Sequence, residues 1–226
     1  MTRPGPAEDT RDALRAHLLE HSVRRGTFTL KSGRTSDWFI DSKQTVCRPE
    51  SMLLVAEAVL ALVPEEATAI GGLTMGADPV AYVTAALGCV RGRGLKAFSV
   101  RKEAKDHGGG GRIAGALDPG DRAVITEDTV TRGTSLLEAA AAVRAAGAEP
   151  VLLVAVVDRG GTVAEMAAAE GLRSMGRHRP LCNGHAALPK SLDHFLETLG
   201  AVPTNAATSP VTMIIRSVRV AEIICA

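Results

Sequence analysis

Two adjacent carboxylates, followed by small hydroxyl residues, are the part of this sequence best suited to chemistry. The stretch from Ala123 to Thr126 is apolar or β-branched, and Glu127 and Asp128 come directly after it. Thr129 to Ser135 then offer hydroxyl groups and one glycine before an alanine-rich stretch. Backbone N–H groups at the start of a helix attract a phosphate, whereas carboxylates repel one and suit sugar hydroxyls, a metal or a developing positive charge. A ligand with a phosphate at one end and a ribose diol at the other satisfies both halves.

A second polar stretch, from Arg101 to Gly111, combines a cluster of cations with four consecutive glycines. Taken alone, it is typical of a solvated surface loop. It directly follows the apolar run 95–100, however, and this position favours a mobile loop that closes over pyrophosphate, neutralises its charge and excludes water. The residues that would do this are Arg101, Lys102, Lys105 and His107.

The elements that must position these groups alternate between short apolar runs and helical stretches. Glycine-rich segments and a change of hydrophobic period separate them, which predicts a parallel sheet with helices on both faces. Functional loops then lie at the carboxyl ends of the strands. The apolar run 151–157 suits a strand covered on both faces. The predicted strands are 27–30, 67–70, 95–100, 122–126 and 151–157. The predicted helices are 10–25, 49–63, 78–87, 135–146 and 162–169, with Gly26 ending the first and Gly88 the third. The polar, glycine-rich segment 101–115 is predicted to be a loop.

Composition excludes several classes of function. The chain has 226 residues, of which 46% are hydrophobic and 23% charged, as expected for one soluble globular domain, with or without a small appendage. Its 26 basic and 25 acidic residues give a net charge of +1, so it has no global attraction for nucleic acid or an anionic membrane. The polar amino terminus and the absence of a bilayer-length apolar run predict a cytoplasmic protein. None of the four cysteines forms a CxxC pair, which favours free thiols.

The stretch 123–135 resembles the phosphoribosyl pyrophosphate (PRPP) signature of the type I phosphoribosyltransferases: a hydrophobic strand, two acidic residues, a few small residues and Thr-Gly-Thr-Ser-like turn chemistry. Within that group, the loop Arg101 to Gly108 is similar to the catalytic loop of the orotate phosphoribosyltransferase family, and so is the segment 28–41. The segment 71–79 looks like the pyrophosphate loop of the same family, with Met75 near the place where many members carry a lysine or arginine.

This resemblance implies a type I phosphoribosyltransferase fold with a small amino-terminal hood. The implied enzyme, a pentosyl-transferring glycosyltransferase, makes orotidine monophosphate and pyrophosphate from orotate and PRPP in pyrimidine (UMP) biosynthesis. It uses Mg²⁺ held mainly through PRPP, with no direct protein ligand, and works as a homodimer whose loop covers the neighbouring subunit's site. By resemblance, Lys105, Glu127 and Asp128 are catalytic. The residues assigned to PRPP are Arg101, Lys102, Lys105, His107, Glu127, Asp128, Thr129, Val130, Thr131, Arg132, Gly133, Thr134 and Ser135.

The same resemblance assigns Thr131, Arg159, Lys31 and Phe39 to orotate. An arginine fork suits a carboxylate or imide edge, and an aromatic side chain can stack on a flat pyrimidine. Simpler alternatives remain at this stage: an aromatic pair buried in a hairpin, a salt bridge between Asp158 and Arg159, and a hydroxyl cap on the helix at 135. For the whole chain, the alternatives are another type I phosphoribosyltransferase, acting on a purine or uracil, and an inactive or regulatory relative.

The resemblance covers residues 12–171 and then ends. We therefore predict a phosphoribosyltransferase domain over 1–171 and a divergent carboxyl-terminal segment over 172–226 that leaves a sheet edge uncovered. His178, Cys182 and His185 are too few and too irregularly placed to predict a metal site. His17 and His21 lie four residues apart on the first predicted helix, where a solvated helix face is the simpler interpretation.

Overall fold

A mostly parallel sheet with helices on both faces organises the chain in the computed structural model. The structure describes residues 6–29, 33, 35–105, 111–159, 169, 173–174 and 218–219. The helices are α1 Pro6–His21, α2 Lys43–Val46, α3 Pro49–Leu60, α4 Ala77–Val90 and α5 Thr134–Ala145. The strands are β1 Val23–Thr29, β2 Thr35–Ile40, β3 Ala69–Leu73, β4 Lys96–Lys105, β5 Gly111–Gly115, β6 Arg122–Val130, β7 Glu149–Asp158, β8 Arg173–Ser174 and β9 Val218–Arg219.

The main sheet has the order β5-β4-β3-β6-β7-β8, and β9 also pairs with β7. Strands β4, β3, β6 and β7 are mutually parallel, whereas β5 is antiparallel to β4. The strands β3, β4 and β5 follow one another towards one edge of the sheet, and after β5 the chain returns to place β6 on the other side of β3. Strands β3 and β6 therefore lie side by side near the centre of the sheet. Their carboxyl ends therefore open into the same crevice, which is where open parallel sheets bind ligands.

Two apolar layers hold the helices to the sheet. Val124 and Leu152 contribute to one layer with α1, α3 and α4, while Ile125 and Leu153 contribute to the other with α5. Successive strand residues point to opposite faces, so β6 and β7 are apolar on both sides. This confirms the prediction that the run 151–157 is covered on both faces, since all seven residues are buried.

The amino-terminal segment packs on the same core as the sheet. Strands β1 and β2 form a separate antiparallel pair, in which Val23 lies opposite Ile40. Trp38 and Ile40 are buried in the layer that also contains α1 and α3. The predicted helix 10–25 is therefore too long, because the chain leaves the helix at His21 to join β1. Gly26 does not end a helix but lies inside β1, with φ 149° at an irregularity in the strand pairing.

Three further predictions about element ends are wrong. Gly88 does not close α4, which continues to Val90, because the left-handed glycine that follows the helix is Gly92, with φ 77°. The segment 101–115 is not a loop throughout, since β4 extends to Lys105 and β5 returns beside it. The strand that precedes the acidic pair does not end at Thr126; β6 continues to Val130 because its backbone keeps pairing with β7.

The described parts of the carboxyl-terminal segment lie against β7. Arg173 and Ser174 pair with Leu152 and Leu153, and Val218 pairs with Val157. These two short strands run parallel to β7 and cover part of its outer edge, so the prediction of an uncovered edge does not hold at these positions. The predicted helix 162–169 and the residues His178, Cys182 and His185 fall outside the described residues, apart from residue 169.

Candidate active site

The two carboxylates lie inside the carboxyl-terminal half of β6 and are almost fully buried. Glu127 is 6% exposed and Asp128 is 4% exposed. Their backbone is fixed on one side by β7, where Glu127 lies opposite Ala155. Buried carboxylates need compensating partners, because burial without hydrogen bonds or opposite charge is costly. The contacts of this pair therefore reveal how the site is built.

Asp128 is held by a short helix from the amino-terminal segment. Lys43 Nζ lies 2.7 Å from Asp128 Oδ2, and Ser42 Oγ donates to the same oxygen at 2.9 Å. The Thr129 N–H donates to Asp128 Oδ1 at 2.7 Å, and the Thr129 hydroxyl donates to Ser42 Oγ at 2.6 Å. Burial would lower the pKa of Lys43, but the hydrogen bond and charge of Asp128 outweigh it and raise that pKa. The start of α2 therefore clamps the carboxylate in one orientation.

Among the described residues no cation forms an ion pair with Glu127, and its acidity is weakened. Burial, followed by the charge and hydrogen bonding of Asp128, raises the pKa of Glu127 to about 7, against the weaker opposing effect of a hydrogen bond from Ser135. Two neighbouring carboxyl groups in a dry environment resist losing both protons. Glu127 can therefore carry a proton near neutral pH, and it can both donate to and accept from a sugar hydroxyl.

The loop between β3 and α4 passes directly over these carboxylates. A Cβ at Gly76 would lie 2.6 Å from Asp128 Oδ1 and closer still to Glu127 Oε1, so only glycine fits there without movement. The loop is fixed from below by Asp78, which accepts hydrogen bonds from Thr74 Oγ1 at 2.9 Å and Ser99 Oγ at 2.6 Å. Met75 at its tip is 69% exposed.

The second loop, between β6 and α5, is an open turn. Gly133 occupies the residue before the helix with φ 74°, a left-handed conformation that favours glycine. The alternative interpretation, in which Thr134 or Ser135 only caps the helix, is wrong, because Gly133 is the N-cap and provides no side-chain acceptor. Thr131, Arg132 and Thr134 are exposed, and the first turn of α5 contains no acidic residue. Its N–H groups are available to an anion.

An arginine and an aromatic ring meet beside this turn. The Arg159 N–H donates to Val130 O at 2.7 Å, which places the side chain next to the end of β6. The Arg159 guanidinium lies 5.1 Å from the centroid of the Trp38 ring, within cation–π distance. Burial lowers the pKa of Arg159, and among the described residues its Nε has no hydrogen-bond partner.

The basic stretch forms the start of a hairpin. Arg101 reaches the carbonyl oxygens of Gly111 and Ile113 on β5, at 3.5 and 3.4 Å, and Lys102 is exposed. Lys105 is the last residue of β4, and His107 lies outside the described residues. The structure thus places the strand that leads to this loop next to β3, at the edge of the crevice.

Comparisons with known proteins identify the family. No family model matches the chain. It is 42% identical over 159 residues to an orotate phosphoribosyltransferase of Streptomyces avermitilis, covering 70% of this chain and 87% of that protein. It is 44% identical over 133 residues to one of Aquifex aeolicus, covering 58% of this chain and 73% of that protein. It also resembles the crystal structure of the Mycobacterium tuberculosis enzyme in complex with PRPP, with TM-score 0.62 and 35% identity, covering 73% of this chain and 93% of that one.

The chain belongs to the orotate phosphoribosyltransferase family. This confirms the resemblance drawn from residues 101–111 and 123–135, and with it the predicted type I phosphoribosyltransferase fold. Most of the residues predicted for the orotate phosphoribosyltransferase site lie at one edge of the sheet in this structure. Glu127, Asp128 and the turn 129–135 form a continuous surface, with Arg159 beside it.

Other predicted positions stand apart from that surface or cannot be placed. The Val130 side chain is 1% exposed and packs in the core, so only its backbone can face a ligand. Phe39 packs on Phe28, with ring centroids 5.6 Å apart, and lies on the opposite face of β2 from Trp38. Lys31 lies outside the described residues. The assignments of Phe39 and Lys31 to orotate stay predictions.

Sequence reasoning missed the residues that organise the orotate phosphoribosyltransferase site from a distance along the chain. Ser42 and Lys43 are 85 or more residues from the carboxylate they hold, and Trp38 is equally remote from Arg159. One local signal was present in the sequence. The polar residues Asp41-Ser42-Lys43 directly follow an aromatic strand, at a place where apolar residues could have continued the element. Pairing it with Asp128 required the fold.

Proposed function

We propose that this chain transfers the ribose 5-phosphate group of PRPP to orotate, giving orotidine 5′-monophosphate and pyrophosphate. The observation that carries the proposal is the buried Glu127–Asp128 pair, which leads directly into an open left-handed turn at the start of a helix. A sugar diol and a terminal phosphate fit the two parts of this surface. Family membership supplies the substrates whose chemistry matches it.

The carboxylates act on the ribose. Departure of pyrophosphate develops positive, oxocarbenium-like charge on the sugar, as in other glycosyl transfers. Asp128, held by Lys43 and Ser42, accepts a hydrogen bond from a ribose hydroxyl and offsets that charge. Glu127, with a pKa raised to about 7 by burial and by Asp128, exchanges hydrogen bonds with the neighbouring hydroxyl. Their buried, fixed positions make this stabilisation effective, because no water has to reorganise.

The turn 131–135 binds the 5′-phosphate. Gly133 lets the backbone enter the helix from a left-handed conformation, so that the first N–H groups of α5 converge on an anion. Hydroxyl groups of Thr131, Thr134 and Ser135 can add hydrogen bonds. The absence of an acidic side chain in this turn removes the repulsion that a dianion would otherwise meet.

Arg159 and Thr131 orient orotate. The Trp38 ring, 5.1 Å from the Arg159 guanidinium, restricts the orientation of that group. A half-buried guanidinium whose Nε has no partner among the described residues is suited to a planar carboxylate, which accepts two parallel hydrogen bonds. Because orotate is already an anion, no strong base is needed, and positioning supplies much of the rate. Lys31 and Phe39 are proposed as further contacts.

Magnesium is proposed to enter with PRPP. Among the described residues, no group of three potential metal ligands forms at Glu127 and Asp128, and both Asp128 oxygens already accept hydrogen bonds. These residues therefore fit a metal held mainly by the substrate's phosphates. When bound, Mg²⁺ neutralises the charge of the departing pyrophosphate. Lys102, Lys105, His107 and Arg101 are proposed to add to that neutralisation as the hairpin closes.

We propose a homodimer in the cytoplasm, with the hairpin of one subunit covering the site of the other. In the part of the chain that the structure describes, no helix is long and apolar enough to cross a membrane. Mixing Lys105→Ala protein with Asp128→Asn protein tests the shared site, since a mixed dimer regains one intact site. Lack of rescue in samples shown to contain mixed dimers would contradict the shared loop. The division at residue 171 into a catalytic domain and a divergent segment is likewise proposed, and truncation there tests it.

The deciding experiment follows the near-ultraviolet absorbance of orotate with the purified full-length chain. Loss of absorbance should require both PRPP and Mg²⁺, and a chelator should stop it. A folded dimer that consumes adenine, hypoxanthine or uracil in place of orotate would identify another phosphoribosyltransferase. A folded dimer inactive on all of these would identify a regulatory relative.

A further inference from the structure

Two histidines and a glutamate converge on the far side of α2 from the catalytic carboxylates. His17 and His21 lie one turn apart on α1, and Glu50 lies in the first turn of α3. One ligand atom from each residue lies within 4.8 Å of the others. The interpretation of these histidines as a solvated helix face is wrong for His17, whose side chain is only 11% exposed.

A hydrogen-bond contact with Thr45 orients the His17 ring towards the point where the three side chains converge. Its Nδ1 lies 3.1 Å from Thr45 Oγ1, which is itself fixed by Ser22 Oγ at 2.7 Å in a buried contact. With Nδ1 donating to Thr45, the lone pair of His17 remains on Nε2. This is the arrangement of metal-binding histidines, in which a hydrogen bond from the other ring nitrogen fixes the tautomer.

The Nε2 of His17 has an unsatisfied lone pair. It is buried and, within the described residues, has no hydrogen-bond partner. Glu50 Oε1 lies 3.6 Å from His17 Nε2, which is too far for a hydrogen bond. An ion close to both atoms could bridge them. The two atoms therefore lie within ion-pair distance but beyond hydrogen-bond length, and a bridging ion is compatible with this geometry.

We propose that His17, His21 and Glu50 bind one Zn²⁺ ion at a site separate from the active site. Two imidazole nitrogens and a carboxylate oxygen form an established zinc ligand set, and water completes a tetrahedron. Zinc–nitrogen bonds of about 2.0–2.1 Å place tetrahedral ligands roughly 3.4 Å apart. The ligand atoms now lie within 4.8 Å of one another, and rotation of the His21 and Glu50 side chains, which are 27% and 51% exposed, can bring them to that separation.

Two neighbouring charges compete for the same ligands. Glu20 Oε1 lies 3.7 Å from His21 Nε2, and Arg48 Nη1 lies 3.9 Å from Glu50 Oε1. Neither distance is a hydrogen bond, and the Glu20 and Arg48 side chains are 76% and 43% exposed, so both can turn into solvent. The ion would join α1 to α3 across α2, which makes its effect on stability measurable without any reference to catalysis.

The test is calorimetric titration of ZnCl₂ into chelator-treated, full-length protein, without Mg²⁺ or substrates. Wild type is expected to bind one Zn²⁺ through this site with micromolar affinity, and a saturating excess should raise Tm by roughly 5 °C or more. His21→Gln and Glu50→Gln should each weaken this binding at least tenfold and remove the Tm shift. Both side chains are exposed enough for the variants to fold, which circular dichroism checks.

The controls remove other potential ligands. His185→Gln takes away a histidine that is not one of the three proposed ligands, and Cys47→Ser with Cys89→Ser takes away two thiols that are exposed in the described part of the chain. Zinc binding and the Tm shift should survive in both. The proposal is overturned if wild type binds no Zn²⁺ below about 100 µM, or if binding persists in His21→Gln and Glu50→Gln but disappears in a control.

Discussion

The two strand-to-helix junctions at the carboxyl edge of the sheet are built from the same parts but differ in charge. The β3–α4 junction contains Gly76 and, in the first turn of its helix, Asp78. The β6–α5 junction contains Gly133 in a left-handed conformation and no acid in its first turn. Asp78 uses both its oxygens to hold Thr74 and Ser99, so it stiffens its loop rather than facing a ligand.

This difference separates two ways of binding a phosphate. The β6–α5 junction offers uncapped N–H groups and hydroxyls, which suit a free dianion. The β3–α4 junction is pressed against the carboxylates of Glu127 and Asp128 through a glycine, so an anion there needs a counter-charge. A Mg²⁺-bound pyrophosphate meets that condition, whereas a bare phosphate does not. The following variants are ordered from the largest expected effect to the smallest.

Asp128→Asn removes the charge that lies between the two junctions. Turnover should fall by about a hundredfold or more, because a neutral amide does not offset positive charge on the ribose. The fold should survive, since asparagine has nearly the same shape and its one amide oxygen still accepts, although the NH2 group cannot replace the second acceptor oxygen. Steady-state kinetics with orotate and PRPP measure this, with Asp12→Asn, at an exposed position of α1, as the control. Near-normal turnover would exclude the assigned role.

Gly76→Ala tests the close approach of the first junction. The new methyl group would push the loop away from the carboxylates, and kcat/KM should fall about tenfold to a hundredfold. Backbone strain does not contribute, because Gly76 has φ −66°. Gly94→Ala is the matched control, since a Cβ there meets nothing within 4 Å. Equal kinetics for the two variants would contradict the proposed contact.

Lys43→Met removes the clamp on Asp128. We expect kcat to fall about tenfold, because the carboxylate loses its fixed orientation, with partial recovery in Lys43→Arg. Lys96→Met provides a comparison, since Lys96 holds the equally buried Asp121 at 2.6 Å at the other end of the sheet. Both methionine variants should lose stability, but only Lys43→Met should lose turnover. If both Lys43→Met and Lys96→Met lost turnover, the effect of Lys43→Met would be explained by general destabilisation.

Glu127→Gln should change how stability depends on pH. The pKa of Glu127 is raised to about 7 in the folded state, above its usual 4.5, so the folded protein binds more protons between these values. Wild-type stability therefore falls as pH rises through that window, and the neutral variant escapes this loss. Its advantage should grow by about 3 kcal/mol between pH 4.5 and 8. Urea unfolding across this range measures it, and parallel curves would contradict the raised pKa.

Gly133→Ala should have the smallest effect. Forcing alanine into a left-handed conformation costs about 1–2 kcal/mol. Gly92→Ala pays the same cost, because Gly92 has φ 77° and an open environment away from the site. Both variants should lose similar stability, but only Gly133→Ala should raise the KM for PRPP several-fold. A similar KM in both would show that the second junction does not need its left-handed entry.

Local pattern determined much of this protein. The run of apolar residues before Glu127, the hydroxyl-rich turn and Gly133 sit close together in the chain, so their chemistry was readable without a fold. The doubly covered strand 151–157 was equally clear, because burial on both faces demands apolar residues at every position. Element ends were less readable at Gly26, Gly88 and Thr126, since strand pairing and close packing decided them rather than glycine content.

The tertiary structure alone decided the contacts that turn these motifs into a site. Lys43 meets Asp128, Trp38 meets Arg159, and Gly76 meets both carboxylates only because the parallel sheet brings distant segments to one edge. The raised pKa of Glu127 and the convergence of His17, His21 and Glu50 have the same origin. Spacing along a chain encodes local geometry, whereas burial and charge pairing depend on which segments the fold places side by side.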